Sequence, residues 1–337
     1  MDRRVTITDV ARAAGVSVAT VSKVLNARDG VAPATSSRVW GVVEELGYES
    51  SLVASRMRTH RTRIIGVLAG RFEPFAAEIF KGAAAALGET GDEMLAYTGG
   101  AHGGGPGWER RFLSRLGGTL IDGAVLVTPR AAVDDVAVPV VAIDPEAGPG
   151  AVTVDSDDLG GAVLATEHLL GLGHRRIAFV GGPPDVYQWS REREQGFRQA
   201  MAAAGVPVDE GHVVADPYDS GRTADTLRAL LSGSDRPTAV VTAYDVSAIA
   251  SLEVARDLGL SVPEDLSVVG FGDIPEAARA EPPLTTVDQS IQEMGATAVR
   301  LLTRMLDGPD AEGPGADETP VRLPTRLVLR RSTAAPR

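Results

Sequence analysis

The chain has 337 residues, 44% of them hydrophobic, which suffices for a small module beside a larger two-part domain, and no stretch approaches the roughly 20 uncharged apolar residues that a membrane span needs. Cysteine is absent, which excludes a disulfide scaffold, thiolate metal ligands and a cysteine nucleophile. The net charge of −12 is unevenly divided: residues 1–63 hold ten Lys/Arg against six Asp/Glu, or +4, and the remainder is −16, a basic head on an acidic body of the kind phosphate-directed binding by one end requires, although such a split also occurs in proteins that never meet nucleic acid.

The start, Met1 to Val5, runs into a polar helical pattern without the apolar region of a secretory signal, so a cytoplasmic location is expected. Residues 5–48 show short helical periods broken at Gly15-Val16-Ser17, from Asn26 to Pro33 and at Gly47. Thr6 or Thr8 can cap a first helix whose inner face is Val10, Ala11 and Ala14. Gly15 supplies the positive φ of a tight interhelical turn, and Val16 fills the space between helices. Ser17 then caps a second helix with Val21 and Val24 facing inward. That arrangement leaves Val18, Ala19, Ser22 and Lys23 exposed near its N-terminal end, where a recognition helix meets base edges, while Ser17 and Thr20 suit phosphate contacts. On the turn alone, a plain helical hairpin in a small core is the alternative.

Residues 49–62, rich in Ser, Arg and Thr with one short helical pattern, read as a linker. From Arg63 apolar runs alternate with Ala/Leu-rich helices such as Ala76–Glu89. The runs Ile64–Leu68, Gly123–Val127 and Pro139–Asp144 form one series. A second follows with Arg176–Val180, Ala239–Thr242 and Leu266–Phe271. Alternation of this kind predicts parallel α/β sheets with ligands at the carboxyl ends of strands, and two series in tandem predict two lobes with a cleft between them. The Gly-, Pro- and acid-rich tract Asp307–Pro320 reads as a solvated loop, and Asp134-Asp135 and Asp157-Asp158 as solvated turn or helix-start carboxylates.

Catalytic signatures are missing. His102-Gly103-Gly104-Gly105 lacks the Gly-x-Ser-x-Gly elbow that an esterase oxyanion loop would need and reads as a loop. There is no phosphate-loop or dinucleotide fingerprint, and His60, His102, His168, His174 and His212 show no metal-ligand spacing; His168 and His174 are expected to pack or cap. The expectation is a protein with no enzymatic activity, cofactor or metal.

The tract Ile7–Asn26 closely resembles the helix-turn-helix of the lactose-repressor (LacI/GalR) family of bacterial transcription regulators. The likeness continues through Glu44–Tyr48, Arg61–Val67, Val154-Asp155, Gly173–Pro183, Val268–Phe271, Pro283–Gln289 and Leu323–Leu327, so it covers essentially the whole chain. The resemblance implies an all-α helix-turn-helix head (1–48), a hinge (49–62) and a two-lobed α/β core like periplasmic binding proteins (63–337). Its first lobe is placed at about 63–162 plus 290–319, and its second at about 163–289 plus 320–332. It further implies a repressor that binds a near-palindromic double-stranded operator as a homodimer or higher oligomer, under the control of a small-molecule effector. The alternative is a member governed by a protein cofactor or by no ligand.

The DNA-facing residues implied are Thr6, Ser17, Val18, Ala19, Thr20, Ser22, Lys23 and Asn26, with Ala54 and Met57 of a hinge helix wedging into the minor groove. The linker departs from the family: Ser50-Ser51 replaces the usual Pro-Asn, and Ser55 the usual Arg. Apolar Val18 and Ala19 predict methyl contacts to thymine rather than bidentate hydrogen bonds. The effector residues implied are Phe75, Asp144, Tyr187, Trp189, Arg193, Tyr218, Tyr244 and Gln289. Arg193 matches an arginine that grips ligand oxygens; without the family match it reads as a surface salt bridge to Glu192 or Glu194. Tyr244-Asp245 and Gly272-Asp273 replace the common Asn-Asp and Asp-Asp. Tyr187, Trp189, Tyr218 and Tyr244 predict ring stacking against a sugar face or a flatter effector, unless they fill space left by Gly70 and Gly272.

Overall fold

The computed structural model describes residues 5–25, 30–48, 61–99, 107–130, 133, 136–146, 152–183, 187–216, 220–308 and 321–337. The chain divides into two compact units, Met1–Thr62 and Arg63–Arg337.

In the first unit, α1 (Ile7–Ala14), α2 (Val18–Leu25) and α3 (Pro33–Leu46) enclose a core of Val10, Ala11, Ala14, Val21, Val24 and Val39. Thr6 caps α1 in a reciprocal box with Asp9, which satisfies two helix-end donors at once. Gly15 sits at φ 65°, a left-handed conformation that a Cβ would strain. Pro33 opens α3 and Gly47, at φ 59°, closes it.

The second unit holds, among the described residues, two six-stranded sheets. The first contains β1 (Ile64–Ala69), β2 (Glu93–Thr98), β3 (Gly123–Val127), β4 (Val140–Ile143), β5 (Val152–Ser156) and β11 (Val321–Leu323), in the order β11-β5-β4-β3-β1-β2, all parallel. The second contains β6 (Ile177–Gly181), β7 (Val213–Ala215), β8 (Ala239–Thr242), β9 (Ser267–Gly272), β10 (Thr285–Asp288) and β12 (Arg326–Val328), in the order β12-β10-β9-β8-β6-β7, with only the β10–β12 pair antiparallel. The inner strands β1, β3 and β4 are buried throughout, as parallel strands covered on both faces must be.

Helices cover the sheets: α4 (Pro74–Thr90), α5 (Trp108–Leu116) and α11 (Ile291–Asp307) in the first lobe, with α6 (Asp158–Gly171), α7 (Gln188–Ala203), α8 (Ser220–Ser232), α9 (Asp245–Asp257) and the short α10 (Pro275–Arg279) in the second. Helices α4 and α11 cross so closely that a Cβ on Gly82 would lie 1.8 Å from the Gln292 carbonyl oxygen, and one on Gly295 would lie 2.3 Å from that of Ile79. Those two positions need glycine because backbone meets backbone.

The chain passes between the lobes at 157, at 289–290 and at 324–325. Two expected boundaries are corrected. Val321–Leu323 pairs with β5 and belongs to the first lobe, although 320–332 was assigned to the second. Helix α6 packs on α7 and the second sheet, so that lobe begins at Asp158 rather than 163. The passages are stitched together: Asp157 N–H donates to the Leu323 carbonyl (2.9 Å), Thr325 Oγ1 to the Asp157 carbonyl (3.1 Å), and Gln289 Nε2 to Ser156 Oγ (2.9 Å).

The C-terminal segment lies along the second sheet. Ser332 Oγ donates to the Val268 carbonyl and accepts from Thr285 N–H, and His174 bonds Thr238, Ser267 and the Ala334 carbonyl.

Candidate functional site

Two sites emerge, one in each unit. In the head, Ser17 Oγ accepts from Thr20 N–H at 3.1 Å and shares a hydrogen bond with Thr20 Oγ1 at 2.9 Å, which caps α2. Val21 and Val24 are buried, and on the opposite face of the helix Val18 is 42% exposed, Ala19 and Lys23 are exposed, and Ser22 is half-buried. Thr6 is exposed at the N-terminus of α1. The expected contacts Asn26, Ala54 and Met57 lie outside the described residues.

In the second unit a cleft of about 830 Å³ opens at the carboxyl ends of the central strands of both sheets. Ala69 and Gly70 follow from β1, Val127 and Thr128 from β3, Asp144 from β4, and Phe271 and Gly272 from β9. Thr128, Asp144 and Asp273 have positive φ, so the chain turns sharply as it leaves three strands.

Of the residues expected here, Phe75, Asp144, Tyr187, Trp189, Arg193, Tyr244 and Gln289 all line this cleft; Tyr218 lies outside the described residues. The aromatic groups form one panel. Tyr187 stacks on Trp189 with ring centroids 5.3 Å apart, and Tyr244 meets Trp189 edge-on at 6.5 Å. The Arg193 guanidinium lies 4.8 Å from the Trp189 centroid and 3.8 Å from that of Phe271.

The reading of Arg193 as a surface salt bridge to Glu192 or Glu194 does not describe it. Arg193 is 4% exposed, its Nε donates to Asp158 Oδ1 at 2.8 Å, its Nη2 lies 2.7 Å from the same oxygen, and its Nη1 donates to the Ala243 carbonyl. Asp158 is likewise not the solvated carboxylate expected: it is buried, and it also accepts from Ser156 Oγ at 3.0 Å. Asp157 does cap α6 through Gly160 N–H.

Burial pushes Asp144 well above the usual carboxylate range; the Asp158 charge adds to this and Arg193 opposes it. Burial also raises Asp158, against Arg193. Asp245, which accepts from Ile274 N–H (2.9 Å) and Thr286 Oγ1, is pushed by burial up to about 6. Burial, with the nearby Asp216 charge, raises the Tyr244 phenol. Asp216 is fully buried and accepts from Thr223 Oγ1 (2.5 Å) and Ser247 Oγ, joining the first turns of α8 and α9 beside Tyr244. Asp273, by contrast, pairs with Arg330 at 2.7 Å.

Sequence reasoning missed several lining residues, namely Trp108, Glu109, Arg130 and Glu146. Trp108 begins an amphipathic helix, and its core-facing period was the one available signal.

Residues 6–51 match the model of bacterial regulatory proteins of the lacI family, and residues 166–333 match a periplasmic binding protein-like domain. The chain is 37% identical to the HTH-type transcriptional regulator CelR of Thermobifida fusca, with 98% of each chain covered. It belongs to the LacI family. Among solved structures, this LacI-family chain is similar to a CelR–cellobiose complex (34% identity, TM-score 0.68, covering 98% of this chain and 100% of that one). It is also similar to a lac repressor dimer bound to operator and the anti-inducer ONPF (25% identity, TM-score 0.82, covering 99% and 100%). As a LacI-family protein it is a DNA-binding transcription regulator, with the helix-turn-helix head and two-lobed core described above. Among the described residues no helix is long and apolar enough to cross a membrane.

Proposed function

We propose that the protein represses transcription by binding a near-palindromic operator as a homodimer, and that a saccharide held in the cleft sets its operator affinity. The observation that carries the effector reading is the panel Tyr187–Trp189–Tyr244 on one wall of a cleft that also presents hydrogen-bonding carboxylates. Aromatic faces suit the C–H faces of sugar rings, and acceptors suit their hydroxyls. The volume of about 830 Å³ falls within the range of small-molecule sites and has room for more than one ring. The similarity to a CelR–cellobiose complex supports a short saccharide in particular.

The DNA end works through α2: the cap at Ser17 and Thr20 and the helix N-terminus meet phosphates, while Val18 and Ala19 present methyl groups to the major groove and Lys23 adds a positive charge. Ligand control requires that the saccharide bind one arrangement of the lobes more tightly than another; the stitched passages at Asp157, Gln289 and Thr325 are where such a change would turn. The activity is regulatory rather than enzymatic, and the site of action is the cytoplasm.

The test is a selection from pooled duplex DNA at modest salt, followed by operator titrations with and without cellobiose. A selected motif with two related half-sites, and an affinity that shifts with cellobiose for the wild type but not for Trp189→Ala, is expected. Absence of any selected motif would overturn the DNA reading. A selected operator whose affinity ignores a full saccharide panel would favour control by a protein cofactor or by no ligand.

A further inference from the structure

Strands β3 and β4 run side by side with Val127 opposite Ile143, and each is followed by a residue of positive φ, Thr128 and Asp144. Beyond those turns Arg130 and Glu146 meet on the first-lobe wall of the cleft. Their backbones are fixed there: Glu146 N–H donates to the Pro129 carbonyl at 3.0 Å, and Arg130 N–H to Oε1 of the buried Glu109 at 3.2 Å. Their side chains form an ion pair, with Arg130 Nε 3.4 Å from Glu146 Oε2.

The pair is continuous with the aromatic panel. Burial raises the Tyr187 phenol, the Glu146 charge adds to this and Arg130 opposes it, so both side chains reach the Tyr187 hydroxyl from the opposite lobe. The Tyr187 ring in turn stacks on Trp189. The pair is also accessible: the Arg130 side chain is 55% exposed and Tyr187 is half-buried. A guanidinium carries five donors, more than one carboxylate and one phenol can occupy. An ion pair this exposed is weakly held, so part of it can be exchanged for other partners at small cost. A planar donor fork beside an acceptor matches neighbouring hydroxyls of a sugar ring, and the two charges cancel, so an uncharged ring meets no net field there.

We propose that Arg130, Glu146 and Tyr187 form a second sugar subsite, which takes the hydroxyls of a ring joined to the one stacked on Trp189, and that this subsite makes the cleft selective for saccharides of at least two rings. This rests on the saccharide reading above and adds the residues that read chain length. Stacking on Trp189 is open to any pyranose, so selection by length needs polar contacts beyond the first ring. Arg130 and Glu146 supply them from one lobe and Tyr187 from the other.

The experiment is calorimetric titration of the full chain with cellobiose and with phenyl β-glucoside, whose second ring has no hydroxyls, for the wild type, Arg130→Ala and Tyr187→Phe. Phenylalanine keeps a ring on Trp189 and loses only the phenol oxygen. The wild type is expected to favour cellobiose by about ten-fold or more, as hydrogen bonds to a charged group imply. Arg130→Ala should weaken cellobiose about ten-fold and leave phenyl β-glucoside nearly unchanged, so that the ratio collapses. Tyr187→Phe should narrow the ratio in the same direction. A merely structural defect would weaken both ligands together and leave the ratio as it was.

Phenyl β-glucoside bound by the wild type as tightly as cellobiose would overturn the second subsite while leaving the saccharide reading intact. An unchanged ratio in Arg130→Ala would remove that residue from ligand recognition and overturn the inference as well. If neither sugar binds while operator binding persists, the saccharide reading fails and this inference with it.

Discussion

The guanidinium of Arg193 lies 2.7 Å from Asp158 with both side chains only 5% exposed, so the charge that family resemblance directs at ligand oxygens is already engaged inside the protein. Asp158 in turn accepts from Ser156, which accepts from Gln289. A continuous hydrogen-bonded chain therefore runs from Arg193, whose guanidinium lies over Trp189 of the aromatic panel, to two of the passages between lobes.

Removal of one member of this pair leaves the other charge buried and uncompensated. Arg193→Met and Asp158→Asn should each destabilise the fold by about 3–5 kcal/mol, and the combined replacement should cost less than the two added. Chemical denaturation of the three variants checks this; strictly additive losses would show that the two side chains do not depend on each other.

The Ser17 cap predicts a smaller effect in the head. Ser17→Ala loses the bond to Thr20 N–H and should cost about 1 kcal/mol of head stability, read by melting the isolated 1–62 unit, which forms its own core. Val18→Arg leaves that core untouched, because Val18 is exposed, and should change the motif recovered from pooled DNA by adding a donor fork for guanine. Recovery of the wild-type motif would remove Val18 from the recognition surface.

Asp216 holds Thr223 and Ser247 at the start of two helices, next to the Tyr244 ring. Asp216→Ala strands both hydroxyls and should cost roughly 3 kcal/mol, in line with hydrogen bonds to charged acceptors. It should also weaken cellobiose binding through Tyr244. Loss of stability with unchanged cellobiose affinity would limit Asp216 to a structural part.

Two buried groups give opposite dependences on pH. His174 Nε2 faces the Ala334 carbonyl, which only accepts, so Nε2 carries the proton, and Nδ1 shares a hydrogen bond with Thr238 Oγ1; burial favours the neutral ring by lowering its pKa. The unfolded chain therefore takes up a proton first as pH falls through about 6.5, and stability is lost below that value and retained above it. Asp245 is raised to about 6 by burial, so the unfolded chain releases its proton first and stability declines as pH rises from about 4 toward 6. Urea titrations should show a shallower acid loss for His174→Gln and a missing decline between pH 4 and 6 for Asp245→Asn. Slopes identical to the wild type would exclude both groups as the titrating sites.

The parts of this molecule that were legible in its sequence are those fixed by near neighbours. Thr6, Gly15 and Ser17 mark the helix-turn-helix because caps and positive φ are local requirements. Ile64–Leu68 and Gly123–Val127 read as inner strands because burial on both faces makes them continuously apolar. The edge strand β2, Glu93–Thr98, has no buried residue and carries no such run. Strands β11 and β12 have three residues each, and their assignment to different sheets depends on partners more than 100 residues away for β11. Asp158 looked like any acidic helix start because the cation that buries with it lies 35 residues on. Glu109 sits in the charged run Trp108-Glu109-Arg110-Arg111, where nothing local separates an enclosed carboxylate from a solvated one.

The three passages at 157, 289–290 and 324–325 have a mechanical consequence. Each is one or two residues long and each is tied to a neighbour, so they act as the pins of a single door hinge. Any change of angle between the two halves must therefore bend all three crossings together, because each is bonded to a neighbour.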